Sequence, residues 1–127
     1  MESEFANLNW TAVLAGTIAA YALGMIWFSP LLFGKGWSKG SHNLQPPEQA
    51  PVGAMVIMFA ATLLLALLIG MTETRDMLLT AIVGILACAL TVAGMAMFSQ
   101  KTTYATVVDA GYVVAMGVIM ILAQAIF

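Results

Sequence analysis

Only a few residues of this chain have side chains suited to acid–base, ion or metal chemistry. Asp109 is the single carboxylate that could lie inside an uncharged stretch. An acid within a membrane span usually marks a proton or ion path, so its depth decides its role. Counting back the roughly 20 residues that cross a bilayer from Phe127 reaches Val108. Asp109 is therefore expected within a turn of the interface. Thr106-Val107-Val108-Asp109 also reads as a capping box, with the threonine capping and the aspartate reaching back. Two roles follow, a helix start or an acid at a pore mouth, and depth favours the first. Lys101 lies near enough in sequence to pair with it.

The other reactive types are sparse. One cysteine, Cys88, forms no intramolecular disulfide. Ten methionines could offer thioethers to Cu(I). His42 is the lone histidine, however, and methionine on an apolar helix is ordinarily an adaptable space-filler. No metal and no cofactor is expected. No Ser/His/Asp set, glycine-rich phosphate loop or pair of acids can be assembled, so no catalytic residue is assigned and no enzyme is expected. Thr17, Tyr21, Thr62, Thr80 and Thr91 bring hydroxyls that do not titrate near neutral pH. A proton-coupled exporter needs a titratable group at mid-span, and none is found.

The elements that would position these residues follow from composition and charge. Of 127 residues, 62% are hydrophobic and 8% charged, against about half and a quarter in soluble domains. No charge occurs over 5–33, 49–72, 77–100 or 110–127. Each gap approaches or exceeds the roughly 20 residues that cross a bilayer core. This excludes a soluble domain and a nucleic-acid binder, and a net charge of -2 is too weak to imply a charged partner. The reading is an all-α integral membrane protein, one domain over 1–127 with spans at about 10–29, 52–70, 77–98 and 106–126. The start, Met1-Glu2-Ser3-Glu4, is acidic where a signal peptide is basic, so the first span is read as retained.

Helix one starts after Asn7 or Asn9, either of which can cap it. Pro30 ends or kinks it by removing a hydrogen bond and crowding the carbonyl of Ile26, and Ser29 is an available partner for the freed group. The stretch 31–39 alternates apolar residues with glycine and lysine, as suits a stub at the headgroup level anchored by Trp37. Pro46, Pro47 and Pro51 fix extended turns in a polar loop. Thr74 is the expected cap of helix three, with Asp76 in its first turn. Trp10, Trp27, Trp37, Tyr104 and Tyr112 suit aromatic belts, although Trp27 could equally pack internally. Lys35, Lys39 and Lys101 fall on one side and Arg75 on the other, which predicts lysine loops in the cytoplasm and both termini in the periplasm.

Lipid is as apolar as leucine, so helices in it associate through small residues that allow close approach. Ala12, Gly16, Ala20 and Gly24 make such a stripe on helix one. Thr62, Ala66 and Gly70 offer one on helix two, Gly84 on helix three, and Gly111 and Ala115 on helix four. These serve packing within one bundle or against another subunit. No internal repeat is visible.

The run Gly24-Met25-Ile26-Trp27-Phe28-Ser29-Pro30-Leu31-Leu32-Phe33-Gly34-Lys35-Gly36-Trp37 resembles the signature of a bacterial membrane family known only as domain of unknown function 1761. Asn9-Trp10 and Ala110-Gly111-Tyr112 match further features of that family, and the likeness covers the chain in order and length. The resemblance implies four helices in the inner membrane and brings no activity. Where the family commonly has asparagine and histidine, this chain has Asp109 and Val113. The most motif-like segment is the break and stub. It either turns the chain at the interface or builds a site from Trp27, Ser29, Pro30, Lys35 and Trp37, with Lys35 meeting an anionic headgroup or solute.

The leading expectation is a small oligomeric channel or transport-related protein. The alternative is a non-catalytic accessory protein that binds lipid or a larger membrane partner. The expected partners are membrane lipid and further copies of the chain, with no nucleic acid.

Overall fold

The structure is a computed structural model that describes residues 7–45 and 48–127. The acidic start Met1-Glu2-Ser3-Glu4 and the turn prolines Pro46 and Pro47 lie outside the described residues. The described chain is helical throughout and has no strand: α1 (Trp10–Trp27), α2 (Gly34–Gly40), α3 (Val52–Glu73), α4 (Leu78–Phe98) and α5 (Thr103–Ile126). All but α2 are long and apolar enough to cross a membrane.

Asn9 caps α1, its side-chain oxygen accepting from Ala12 N–H at 3.1 Å. The helix stops at Trp27, short of Ser29, and does not continue through Pro30 as a kink. Proline has no N–H to give the carbonyl of Ile26. That carbonyl accepts instead from the Ser29 amide at 3.1 Å and the Ser29 hydroxyl at 2.7 Å. The chain then folds back, with Phe33 N–H donating to Trp27 O and Gly34 N–H to Ser29 O. A Cβ on Gly34 would fall 2.6 Å from the Ser29 carbonyl, so the fold-back requires glycine. The expected stub is thus a seven-residue helix, α2.

Pro51 immediately precedes α3, where no donor is missed. The turns α3–α4 and α4–α5 close alike. Asp76 (φ 52°) and Gln100 (φ 61°) adopt the left-handed conformation after their helices. Met77 N–H then returns to Thr72 O, and Lys101 N–H to Ala96 O, as in a Schellman closure. This corrects the expected caps. Thr74 Oγ1 donates to Met71 O rather than capping α4, whose N-cap residue is Met77 and which has no side-chain cap, and Asp76 sits in the turn. Thr102, not Thr106, caps α5 by accepting from Ala105 N–H at 3.2 Å. The capping box at Thr106 is not formed. Asp109 lies about 9 Å along the axis from Thr103, at 1.5 Å per residue, and is free for another role.

The core gathers around α5, which packs on every other helix, most extensively on α1 and α4. Val13 and Ala20 of α1, Ala66 and Ile69 of α3, Ala81 and Ile85 of α4, and Tyr112, Met116 and Met120 of α5 are buried together. On the small-residue stripe of α1, Ala12, Gly16 and Ala20 are buried and Gly24 half-buried. Gly16 abuts Met120 and Ala123; Gly84 faces Leu68, and Gly111 faces the Trp27 ring. Ala115 is half-buried. The N-terminal half of α3 is different: residues 51–61 are exposed throughout.

The α2 helix, the loop after it and the α4–α5 turn meet at one end of the bundle. Thr102 N–H donates to Gly40 O at 3.0 Å, and His42 Nε2 lies 2.6 Å from Ser99 O. Lys35, Lys39 and Lys101 share that end, and Arg75 belongs to the opposite turn.

Candidate functional site

Three elements converge just inside the lysine-bearing end. The end of α1 brings Trp27 and Phe28, and α2 brings Trp37. From α5 come Asp109 and Tyr112, three residues apart and so on one face. The Schellman closure of α4 delivers Lys101 to the same place.

Each oxygen of the Asp109 carboxylate is held. Trp37 Nε1–H donates to Oδ1 at 2.7 Å, and Lys101 Nζ donates to Oδ2 at 2.9 Å. This is the one ion pair among the described residues, with side chains 23% (Lys101) and 14% (Asp109) exposed. The Lys101 ammonium also stands 5.5 Å from the Trp37 ring centroid, within cation–π range. Trp27 Nε1–H donates to Val108 O at 3.0 Å, and Tyr112 Oη donates to Ala20 O at 2.8 Å. Both tie α1 to α5. The rings interlock: Trp27 lies 4.7 Å from Phe33, Phe28 4.9 Å from Trp37, and Phe28 5.4 Å from Tyr112, at the tilted and edge-on angles aromatic pairs prefer. Gly24 leaves room for the Tyr112 hydroxyl, since a Cβ there would sit 2.5 Å from it.

A groove of about 660 Å³ opens beside this cluster, between α1, α3 and α5. Tyr21, Met25, Phe28, Met55, Met58 and Val113 supply much of its apolar wall. Asp109 is its single charged lining residue, at the end where Trp37 and Pro51 also stand. A smaller hollow of about 230 Å³ shares Val92 and Asp109 with the groove and is walled also by Ser99 and Lys101. The carboxylate therefore borders both spaces.

Trp27, Trp37 and Asp109 are thus brought together, as is Lys101. Ser29 is spent on the end of α1, Pro30 is exposed, and Lys35 is exposed and outside the cluster. Tyr112 corrects its expected place in an aromatic belt, because it is 5% exposed and points into the bundle. Its spacing from Asp109 and the smallness of Gly24 and Gly111 were the available signals. Among the described residues no three of His, Cys, Asp and Glu gather where they could hold a metal ion.

Fold and site define an all-helical protein with four helices long and apolar enough to cross a membrane, closed at one end by an aromatic and ionic cluster. The chain belongs to the family described as "Protein of unknown function (DUF1761)", which matches residues 11–124. No curated protein and no solved structure matches it.

Proposed function

We propose that this chain is an integral membrane protein with an accessory, non-catalytic role, and that it binds a membrane-resident molecule in the groove between α1, α3 and α5. The observation that carries this reading is the groove itself. Its volume falls in the range of small-molecule sites, and it is apolar with one polar end. Met25, Met55 and Met58 give it the adaptable lining found on surfaces that accept flexible apolar partners. The exposed N-terminal half of α3 leaves it open sideways toward lipid.

This favours the accessory reading over the channel. Thr17, Thr62 and Thr91 donate to the carbonyls of Val13, Met58 and Ala87 on their own helices, rather than lining a path. Asp109 is already paired. The lysine-bearing end is assigned to the cytoplasm of a bacterial inner membrane, with both termini periplasmic. The apolar outer faces of α3 and α4 are suited to a homo-oligomer.

The test is native mass spectrometry of protein released from lipid nanodiscs. Wild type should retain a bound apolar molecule, and Met58→Trp or Ala54→Trp, which fill the groove, should lose it. Equal retention by all three would refute the reading. Asp109-dependent ion or solute flux in proteoliposomes would restore the channel.

A further inference from the structure

We infer that the occupant of the groove is a phospholipid with a primary ammonium head, of the phosphatidylethanolamine kind. This rests on the binding reading above and names its ligand class. Three observations carry it.

The first is polarity along the groove. Phe28, Trp37, Pro51 and Asp109 stand toward the lysine-bearing end, whereas Tyr21, Met58 and Val113 lie deeper. From Phe28 to Tyr21 the groove runs about 10 Å along α1, at 1.5 Å per residue. An amphiphile seated there has its head at the interface and its chain toward the middle of the membrane, as a lipid of that leaflet has.

The second is charge. The groove ends on Asp109, and the Lys101 ammonium paired with it at 2.9 Å walls the adjoining hollow, so both signs stand within one headgroup's reach. A zwitterionic head exchanges this pair for two, its ammonium on Asp109 Oδ2 and its phosphate on Lys101, with no change in net charge. A purely anionic head would bring a second negative charge beside Asp109. A purely cationic one would leave Lys101 without its counter-ion, and an uncompensated, partly buried charge is costly.

The third is the donor. Asp109 Oδ2 now accepts from an N–H of Lys101. An ethanolamine head replaces that donor, and a choline head, which has no N–H, does not. The Phe28 and Trp37 rings flank the same end of the groove and favour a cation there.

The experiment loads the full-length protein into nanodiscs of phosphatidylcholine doped with equal fractions of phosphatidylethanolamine and phosphatidylglycerol, and identifies the retained lipid by native mass spectrometry. Wild type should enrich phosphatidylethanolamine about tenfold over either other lipid, the lower end of what one charge-assisted hydrogen bond supplies. Asp109→Asn and Lys101→Met should each abolish that preference while still retaining lipid, and Asp109→Glu, which keeps the carboxylate, should preserve it. Lipid retained by wild type without headgroup preference, or with preference for phosphatidylglycerol, overturns the inference and leaves the groove reading standing. Dodecylammonium competing as tightly as phosphatidylethanolamine overturns the phosphate contact and with it the inference. Retention that Met58→Trp leaves unchanged overturns the groove reading itself.

Discussion

Asp109 should act as a latch that holds α2 and the α4–α5 turn against α5, and its removal should loosen both. Asp109→Ala deprives the Trp37 indole of its acceptor and the Lys101 ammonium of its counter-ion. Hydrogen bonds to charged groups contribute about 1.5–3 kcal/mol each, and breaking a fully buried pair costs about 3–5 kcal/mol. Lys101 and Asp109 keep 23% and 14% exposure, so water softens the loss, and about 2–3 kcal/mol is expected for Asp109→Ala. Asp109→Asn keeps an oxygen for Trp37 but loses the charge and turns an NH2 donor toward the Lys101 ammonium, for about 1–2 kcal/mol, and Lys101→Met should cost the same. In the double variant Asp109→Asn/Lys101→Met the shared interaction is counted once, so its cost should fall short of the sum by about 1 kcal/mol. Reversible unfolding in mixed micelles free of phospholipid, followed by tryptophan fluorescence, supplies the four free energies. Hydrogen–deuterium exchange over 34–40 should rise in Asp109→Ala while the centre of α5 stays protected. Costs that add to within about 0.3 kcal/mol, with exchange in α2 unchanged, would refute the latch.

The same micellar unfolding checks the packing of α1 on α5. Gly24→Ala puts a methyl 2.5 Å from the Tyr112 hydroxyl and should destabilise by about 1–3 kcal/mol. Combined with Tyr112→Phe, which removes that hydroxyl, the added cost should shrink. Gly94 has nothing within 4 Å of an added Cβ, so Gly94→Ala should be neutral or stabilise α4 by up to about 1 kcal/mol. In a Cys88→Ser background, a membrane-impermeant maleimide applied to intact spheroplasts should label Glu73→Cys and spare Ser99→Cys. The reverse pattern would invert the proposed orientation.

Much of the fold was legible because uncharged runs long enough to cross a bilayer admit few backbone solutions, and Asn9 and Pro51 mark the starts of α1 and α3 in the sequence. The ends of helices were less legible. Asp76 and Gln100 take the left-handed conformation that glycine adopts most readily, so neither turn carried the usual signal. Thr102 and Thr106 are equally good caps by type, and packing against Gly40, whose Cβ would collide with Thr102 and Ala105, goes with the earlier start. That shift moved Asp109 from a helix start to a position well inside α5. The Lys101–Asp109 pair, eight residues apart, was legible, but the cluster also joins Trp27 and Trp37 to Asp109 and Tyr112 across wide sequence separations, and a single sequence has no term for such pairings. Tyr112 shows the cost: an aromatic near a span end fits a belt, and its burial and its hydrogen bond to Ala20 across the α1–α5 seam show that it faces inward.

The arrangement also explains why so polar a cluster is tolerated in so apolar a chain. Among the described residues Asp109 is the one carboxylate that lies away from the ends of a long helix, and a lone charge there would be expensive. It is made tolerable by two donors that come from outside its own helix, Trp37 on α2 and Lys101 on the turn. The short helix is thus the element that satisfies the acid, and the acid is what fastens the short helix. Trp37 at the same time forms part of the groove wall. Any occupant that draws Lys101 away from Asp109 leaves Trp37 as the one remaining donor from the protein and places more of the burden of holding α2 on that one bond. Occupancy of the groove and docking of α2 are therefore linked through a single carboxylate, and such linkage is reciprocal: whatever loosens α2 changes affinity in the groove by the same free energy with which the occupant changes the hold on α2.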